Sequence, residues 1–513
     1  MSGPVVPGPA EPAEISMKIA ISYPPIESPK GTPLLAQNRQ FQYFNAPTYI
    51  YPMVPAYAAT ALKQAGYEVV WDDAIAEKKR LEPWLAELQN SDIDLIAIES
   101  KTPVIRLHWQ IVNRIKELRP DMVTVLMGDH VTAFPEESME RSHVDYVITG
   151  GNYDLSLLNL AGHITGGEAF APGVFFRDGS GFQSSGHFEQ RGSLHEIPML
   201  DRDLTKWWLY AYHNGNYKYL PGTYTMAGRD CWWRKDGGCT FCSWTTIFPK
   251  FQVMTAEQLL EEVDVLVHKY GIKEIFDDTG TFPGGAFLQK FCEGMIKREY
   301  GSKLKFGCNM KPGALNQEQY RLMGRAGFRF ILYGVESGND RTLERLNKGN
   351  TVQDIRDAMR MAKAAGLEPH VTCMVGYPWE TKAEAQQTID LCKDLFQRGW
   401  IDTLQATITI PYPGTQLFQQ CRDNGWLLHE EWDRYDMREQ VMVSELTTED
   451  VLGFSRQLYK SFMSPQYIAR KVVSVRSLDD VKFLGRAAWK VVGHLKDFAL
   501  DNLKLSSANT TSN

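Results

Sequence analysis

An α/β chain made of two successive units, a doubly wound parallel sheet and then a βα barrel or part of one, is the fold class the sequence predicts. Three observations predict it. Short apolar runs alternate with amphipathic helical stretches from about residue 17 to 151, and the same alternation restarts after residue 226 and runs to about 425. The length of 513 residues suffices for about three domains at roughly 150 residues each.

Composition narrows the class further. The chain is 43% hydrophobic and 23% charged, the usage of an ordinary globular protein, so its bulk is neither disordered, collagenous nor coiled coil. Its 55 basic and 62 acidic residues leave a formal charge of -7, which offers no net attraction to nucleic acid or anionic lipid. Lys and Arg are interspersed with acids throughout, so no nucleic-acid surface is expected. No apolar run approaches the roughly 18 residues of a spanning helix, and residues 1–16 (MSGPVVPGPAEPAEIS) lack the basic and apolar regions of a secretion signal. A disordered start to a cytoplasmic protein is expected. All eight cysteines follow residue 230, three of them within twelve positions, which points to a metal site in a reducing compartment rather than a disulfide framework.

The first unit opens with the strand MKIAIS (17–22), stopped at Tyr23-Pro24-Pro25, where two prolines forbid helix and central strand alike. Pro55 to Ala65 carries apolar residues at helical spacing and closes on Gly66, and YEVVWDD (67–73) reads as the next strand. A helix around 81–90, strand 94–100, helix 106–118, strand 123–128, helix near 135–141 and strand 144–151 follow. The strand ends carry Tyr23-Pro24-Pro25, Ser100, Gly128-Asp129-His130 and Gly150-Gly151, where doubly wound sheets bind ligands. Residues 156–225, with RDGSGFQSSG inside them, read as a connecting segment. The second unit places strands at 273–277, 304–309, 329–335, 370–375 and 405–410. Helices at roughly 255–270, 285–299, 316–326, 351–365 and 381–397 separate them, and chemistry belongs at the strand C-termini. Residues 426–513 read as helical, closing the lower side of the barrel or shaping a substrate pocket; Tyr459, Phe462 and Arg470 are expected in helix-face packing.

The chemical signal is Cys231-WWRKDGG-Cys239-TF-Cys242, a C-x7-C-x2-C loop just before the second series of strands. Three thiolates hold three irons of a cubane and leave the fourth open, whereas a structural zinc wants a fourth protein ligand nearby. His213 and His268, the nearest histidines, are distant in sequence. A zinc site or buried free thiols are the alternatives.

With this loop, FDDTGTF (276–282), GVESGNDRTLERLNKG (334–349), VGYPWET (375–381) and PYPGT (411–415), the chain resembles the radical S-adenosylmethionine (SAM) enzymes, in the subgroup with an N-terminal cobalamin-binding domain. YPP (23–25), GDHVTAFPE (128–136) and DYVITGG (145–151) are similar to that subgroup's cobalamin domain, and the resemblance covers about residues 17–425. It implies a Rossmann-like cobalamin domain over 17–155, a radical SAM partial barrel over 226–425 and a helical region over 426–513. One departure is that the family's loop is C-x3-C-x2-C, so four residues are extra here and the path of Trp232, Trp233 and Arg234 is this chain's own. Either tryptophan lines the cluster pocket or simply packs.

The resemblance implies a 4Fe-4S cluster on Cys231, Cys239 and Cys242, with Phe241, Asp278, Glu336, Ser337, Gly376 and Thr409 around SAM. It implies cobalamin against Pro24, Ser100, Gly128, Asp129, His130, Gly150 and Gly151. The Asp-x-His-x-x-Gly pattern that gives cobalt a histidine is missing, so no lower-face histidine is expected through it. The acids could equally cap helices or face solvent, the glycines could end strands, and His130 could be structural. Cys308 and Cys373 are expected in packing, and Tyr333, Tyr377 and Tyr412 border a substrate cavity or the barrel core. The implied chemistry is reductive SAM cleavage to a 5'-deoxyadenosyl radical, hydrogen abstraction, and methylation of an unactivated carbon, or as the second choice phosphorus, of a small molecule. A flavodoxin- or ferredoxin-type donor is the implied partner. The alternatives are a cyclase or oxidase resembling the anaerobic oxidative cyclase of chlorophyll biosynthesis, and a non-catalytic cobalamin- or metal-binding sensor.

Overall fold

The computed structural model describes residues 17–486 apart from 36–40, 46, 180, 235–236, 462–464, 474 and 476. The expected disordered start over 1–16, Phe462, the chain after 486 and the side chain of Tyr459 lie outside the described residues.

The first sheet is built from β1 (Lys18–Tyr23), β2 (Glu68–Asp73), β3 (Leu95–Ser100), β4 (Val123–Gly128), β5 (Tyr146–Ile148), β6 (Val174–Asp178) and β7 (Gly181–Ser184). Its order is β2-β1-β3-β4-β5-β6-β7. The first five strands are parallel and the last two join antiparallel. LIAIES of β3 is buried at every position, as expected of a parallel strand covered on both faces. Helix Ile105–Leu118 covers one face by burying Ile105, His108, Trp109, Ile111, Val112 and Ile115, a helical stripe. Helices Met53–Gln64 and Tyr153–Gly166 pack together on the sheet. The strand order reverses between β1 and β3, which makes the crevice at Tyr23-Pro24-Pro25 and Ser100 the topological switch point.

The segment expected to be a connector builds both sheets. Helix Tyr153–Gly166 and the β6-β7 hairpin complete the first, and β8 (Gly222–Thr225) opens the second. The strands GFQS and GTYT escaped the sequence reading because each is four residues long, with no α-helix between them to mark an alternation.

The second sheet runs in sequence order from β8 through β9 (Glu274–Asp277), β10 (Lys305–Met310), β11 (Phe328–Glu336) and β12 (Glu368–Val375) to β13 (Thr403–Ile408). All neighbours are parallel, so it is a partial barrel with its helices outside. Four of those helices begin with reciprocal caps: Thr255 with Gln258, Asn316 with Gln319, Thr351 with Asp354 and Thr381 with Glu384. Each cap satisfies orphan N–H groups and contributes about 1 kcal/mol.

The lower end of the barrel is closed by charge. Buried Arg329 donates to Glu274 and to Glu368 (2.5 Å), and Lys218 joins Glu368. The C-terminal region covers this end, with Asp480 on Lys218 (2.5 Å) and Arg486 donating to the Tyr217 carbonyl (3.2 Å). Arg470 donates to the carbonyls of Phe396 and Gln397 at 2.7 and 3.2 Å, capping helix Lys382–Gln397. Above the charges, the rings of Tyr224, Phe276, Phe330 and His370 touch in succession and fill the lumen. Open space is thereby confined to the strand C-termini. Among the described residues no helix is long and apolar enough to cross a membrane.

Candidate functional site

The two units meet with the C-terminal edges of their sheets facing, and a cavity with about 270 Å³ of room for water-sized occupants opens at the seam. Cys231, Cys239 and Cys242 border it on the barrel side; Leu34, Gln42, Phe44, Thr48 and Ile50, from the segment after β1, form the opposite wall.

The cysteine loop is fixed at several points. Cys231 pairs as an isolated bridge with Thr281, and its Sγ donates to the Thr281 Oγ1 (3.1 Å) while accepting from the Trp233 N–H (3.4 Å). Asp230 turns the chain with φ +73° and pairs with Arg234. Thr240 N–H donates to the Leu346 carbonyl (3.1 Å), and its own carbonyl accepts from Leu417 N–H (2.8 Å). Burial pushes the Cys239 thiol up to about 12, opposed by Lys348 and reinforced by Cys242 and Cys231. Such a thiol keeps its proton until a metal displaces it. Three thiols on one cavity, an N–H···S bond and nearby cationic side chains suit a cubane.

Phe241, Asp278 and Glu336 line the same cavity. Glu336 sits at φ +64° at the end of β11 and binds Lys348 Nζ at 2.8 Å. The pair needs Gly334, where a Cβ would lie 2.1 Å from the Glu336 Oε1 and 2.8 Å from Lys348 Nζ. Asn309 donates to Asp278 (3.4 Å) and to the Thr279 carbonyl (3.0 Å). Ser337, Gly376 and Thr409 stand one step back from this space. Ser337 Oγ lies 3.4 Å from Thr388 Oγ1, Thr409 Oγ1 donates to the Val375 carbonyl (3.1 Å), and Gly376 N–H donates to Glu380 (2.8 Å). Burial pushes Glu380 up to about 7, against the pull of the two backbone N–H groups it accepts. Tyr412 lines the cavity, whereas Tyr333 and Tyr377 are fully buried.

None of Pro24, Ser100, Gly128, Asp129, His130, Gly150 and Gly151 borders this cavity. All lie at the strand ends along the seam, engaged with the chain's own atoms. Pro24 is buried, and Ser100 Oγ is 2.8 Å from His108 Nδ1. A Cβ on Gly128 would meet the Ser100 carbonyl oxygen at 2.2 Å, and on Gly150 and Gly151 it would meet the rings of Phe188 and Phe248. Asp129 binds Lys101 (3.3 Å) and accepts from His130 N–H (2.7 Å). His130 is fully buried, its ring nitrogens 3.2 Å from Thr102 Oγ1 and from Glu137 Oε2, its ring among Trp109, Phe134 and Trp432.

The sequence reading missed Lys311, Lys348 and Asn309, which join the thiols around the cavity. Lys348 stands inside LERLNKG and Asn309 at the end of a strand, and only the fold brings them together.

The B12 binding domain profile matches residues 44–154 and the radical SAM superfamily profile residues 228–392. An uncharacterized methyltransferase of Pyrococcus horikoshii is 27% identical over 82% of this chain and 89% of its own. The anaerobic magnesium-protoporphyrin IX monomethyl ester cyclase of Cereibacter sphaeroides is 26% identical over 72% of this chain, which spans 60% of the cyclase's length. The cobalamin-dependent SAM radical enzyme OxsB shares the fold with a TM-score of 0.68 at 15% identity, covering 94% of this chain and 72% of its own. TsrM of Kitasatospora setae, a radical SAM methyltransferase, shares it with a TM-score of 0.61 at 17% identity, covering 80% and 78%. Residues 228–392, which include the cysteine loop, thus form a radical SAM domain, and a B12-binding domain over 44–154 precedes it.

Proposed function

We propose that the protein is a cobalamin-dependent radical SAM methyltransferase. It holds a 4Fe-4S cluster on Cys231, Cys239 and Cys242 and methylates an unactivated carbon of a small molecule, with phosphorus as the alternative target. One observation carries this reading: the three thiols and the open barrel mouth share a cavity whose far wall comes from the B12-binding unit. The Pyrococcus horikoshii relative, matched over most of both chains and named a methyltransferase, supports it over the cyclase reading.

When bound, the cluster supplies the electron that splits SAM into methionine and a 5'-deoxyadenosyl radical, and cobalamin supplies the methyl group. The protein's own residues bind and orient. Glu336 and Lys348 offer the polar edge of SAM a carboxylate and an ammonium, and Phe241 walls its apolar side. Ser337, Thr409 and Gly376 support those strand ends from behind through Thr388, Val375 and Glu380. Leu34, Phe44 and Ile50 offer an apolar wall to a corrin. The seven seam residues from Pro24 to Gly151 shape the edge on which that wall stands. Asp278, Asn309 and Gln405 give a small-molecule substrate polar contacts above the aromatic floor. A flavodoxin- or ferredoxin-type donor in the cytoplasm is the proposed electron source.

Cys231→Ala, Cys239→Ala and Cys242→Ala should each abolish iron-sulfur absorption and SAM cleavage; a variant keeping full cluster and turnover removes that cysteine from the site. With both cofactors bound, reductant and methyl-labelled SAM should yield 5'-deoxyadenosine and transfer of label from SAM to the protein-bound corrinoid. Deoxyadenosine without transfer would favour the cyclase reading, and neither product would return the non-catalytic sensor.

A further inference from the structure

Trp233, the second residue after Cys231, reaches the loop 347–349, where its Nε1 donates to the Asn347 carbonyl (2.8 Å). Asn347 Nδ2 returns a bond to the Gly238 carbonyl (2.9 Å). The indole lies so close to Gly349 that a Cβ there would be 2.0 Å from the ring. Lys311, at the end of β10, places its Nζ 4.3 Å from the centroid of that ring and donates to the Gly349 carbonyl (2.8 Å). Lys348, held within the same loop, directs its Nζ to Glu336 (2.8 Å) and lies 5.8 Å from the Phe241 ring centre. Both lysines are 8% exposed, and both border the cavity that the three cysteines border. Burial and the neighbouring Lys348 work against an ammonium at Lys311, and the indole face and the Gly349 carbonyl oppose that cost.

We propose that Trp233 is a positioning residue for the electrochemistry of the cluster: it holds the Lys311 ammonium beside the cysteine ligands, where its charge favours the reduced cluster. The inference rests on the assignment of a 4Fe-4S cluster to Cys231, Cys239 and Cys242. Reduction adds one electron, taken from the donor, to the 2+ cluster and yields the 1+ cluster with no bond made or broken. The added negative charge is stabilised by fixed positive charge nearby, so the potential rises with each ammonium held in place. The stacked ring matters because an untethered lysine would turn its head to water.

The test is an anaerobic redox titration of the iron-loaded full-length protein, with dithionite as reductant and the reduced cluster followed by electron paramagnetic resonance. At the wild-type midpoint, Trp233→Leu and Lys311→Met should each lower the reduced-to-oxidised ratio about tenfold, a shift of about 59 mV for one electron. Lys311→Arg should stay within about twofold of wild type, and the double variant should fall no further than either single, because both act through one ammonium. Wild-type midpoints in iron-loaded Trp233→Leu and Lys311→Met, or additive shifts in the double variant, would overturn the proposal. If Trp233→Leu does not load iron, Lys311→Met decides, with Trp233→Phe, which keeps a ring face, expected nearer wild type. An iron-loaded wild type without a reducible cubane signal would instead refute the cluster assignment, and this inference with it.

Discussion

Arg229 and Asp154 form a buried pair across the seam, and its removal is the sharpest test of how the two units are held together. Arg229 lies two residues before Cys231 and Asp154 in the first turn of helix Tyr153–Gly166. Their bidentate contact measures 2.9 and 2.5 Å, Asn152 Oδ1 accepts a further bond at 2.9 Å, and the residues are 1% and 2% exposed. Arg229→Met leaves the Asp154 carboxylate buried without its partner, which costs about 3–5 kcal/mol. At roughly 2–4 °C per kcal/mol for a unit of 150–250 residues, the transition should fall by about 6–20 °C. Calorimetry on the iron-loaded protein reads that shift, and iron content read in parallel should fall because Cys231 loses its anchored approach. Arg229→Met with Asp154→Leu should recover most of the loss, since an apolar pair of similar volume avoids the stranded charge. A fall below about 2 °C for the single variant would mean a contribution no larger than an exposed ion pair's, and the seam would have to be held by apolar packing alone.

Two further outcomes follow from buried charge. Burial lowers His108 to about 3 and His370 to about 4, below the unfolded value of about 6.5, so the unfolded chain binds more protons throughout that window. Stability present above about pH 6.5 is therefore lost as pH falls toward 4, by up to about 1.4 kcal/mol per pH unit for each histidine; thermal midpoints from pH 7 to 5 should fall less steeply in His108→Gln, and an identical slope would remove His108 from the acid response. Glu336→Gln leaves the Lys348 ammonium without its carboxylate, and SAM affinity of the iron-loaded protein should drop about tenfold or more, the worth of a charged hydrogen bond at about 1.5–3 kcal/mol; an unchanged Kd by equilibrium dialysis would separate Glu336 from SAM.

Most of the architecture was legible because alternation is a local property of the chain. VTVLMG, read as a strand over 123–128, is β4 to the residue, and PEESMER, read as a helix near 135–141, spans Pro135–Arg141. What escaped was set by distant partners. GTYT becomes β8 only because Glu274–Asp277 lies alongside it, and the β6-β7 hairpin exists because β5 offers it an edge. The tail showed helical periodicity, but its place under the barrel depends on Lys218 meeting Asp480 and on the Tyr217 carbonyl meeting Arg486.

The same distinction divides the candidate site. A cysteine triplet is legible because its chemistry and spacing lie in one loop, and Glu336 is legible because GVESG surrounds it. His130 shows the limit: a histidine at a strand end reads equally as a ligand or as packing, and only the closure of Trp109, Phe134 and Trp432 around it, with Thr102 and Glu137 on its nitrogens, decides how it is engaged here. Lys311 shows the converse, since a lysine after KFGCNM carries no signal until the fold lays an indole from the far side of the barrel mouth against it. Trp233, only two residues after Cys231, ties the cysteine loop to the loop 347–349 across 114 positions of sequence, a contact that no local pattern announces.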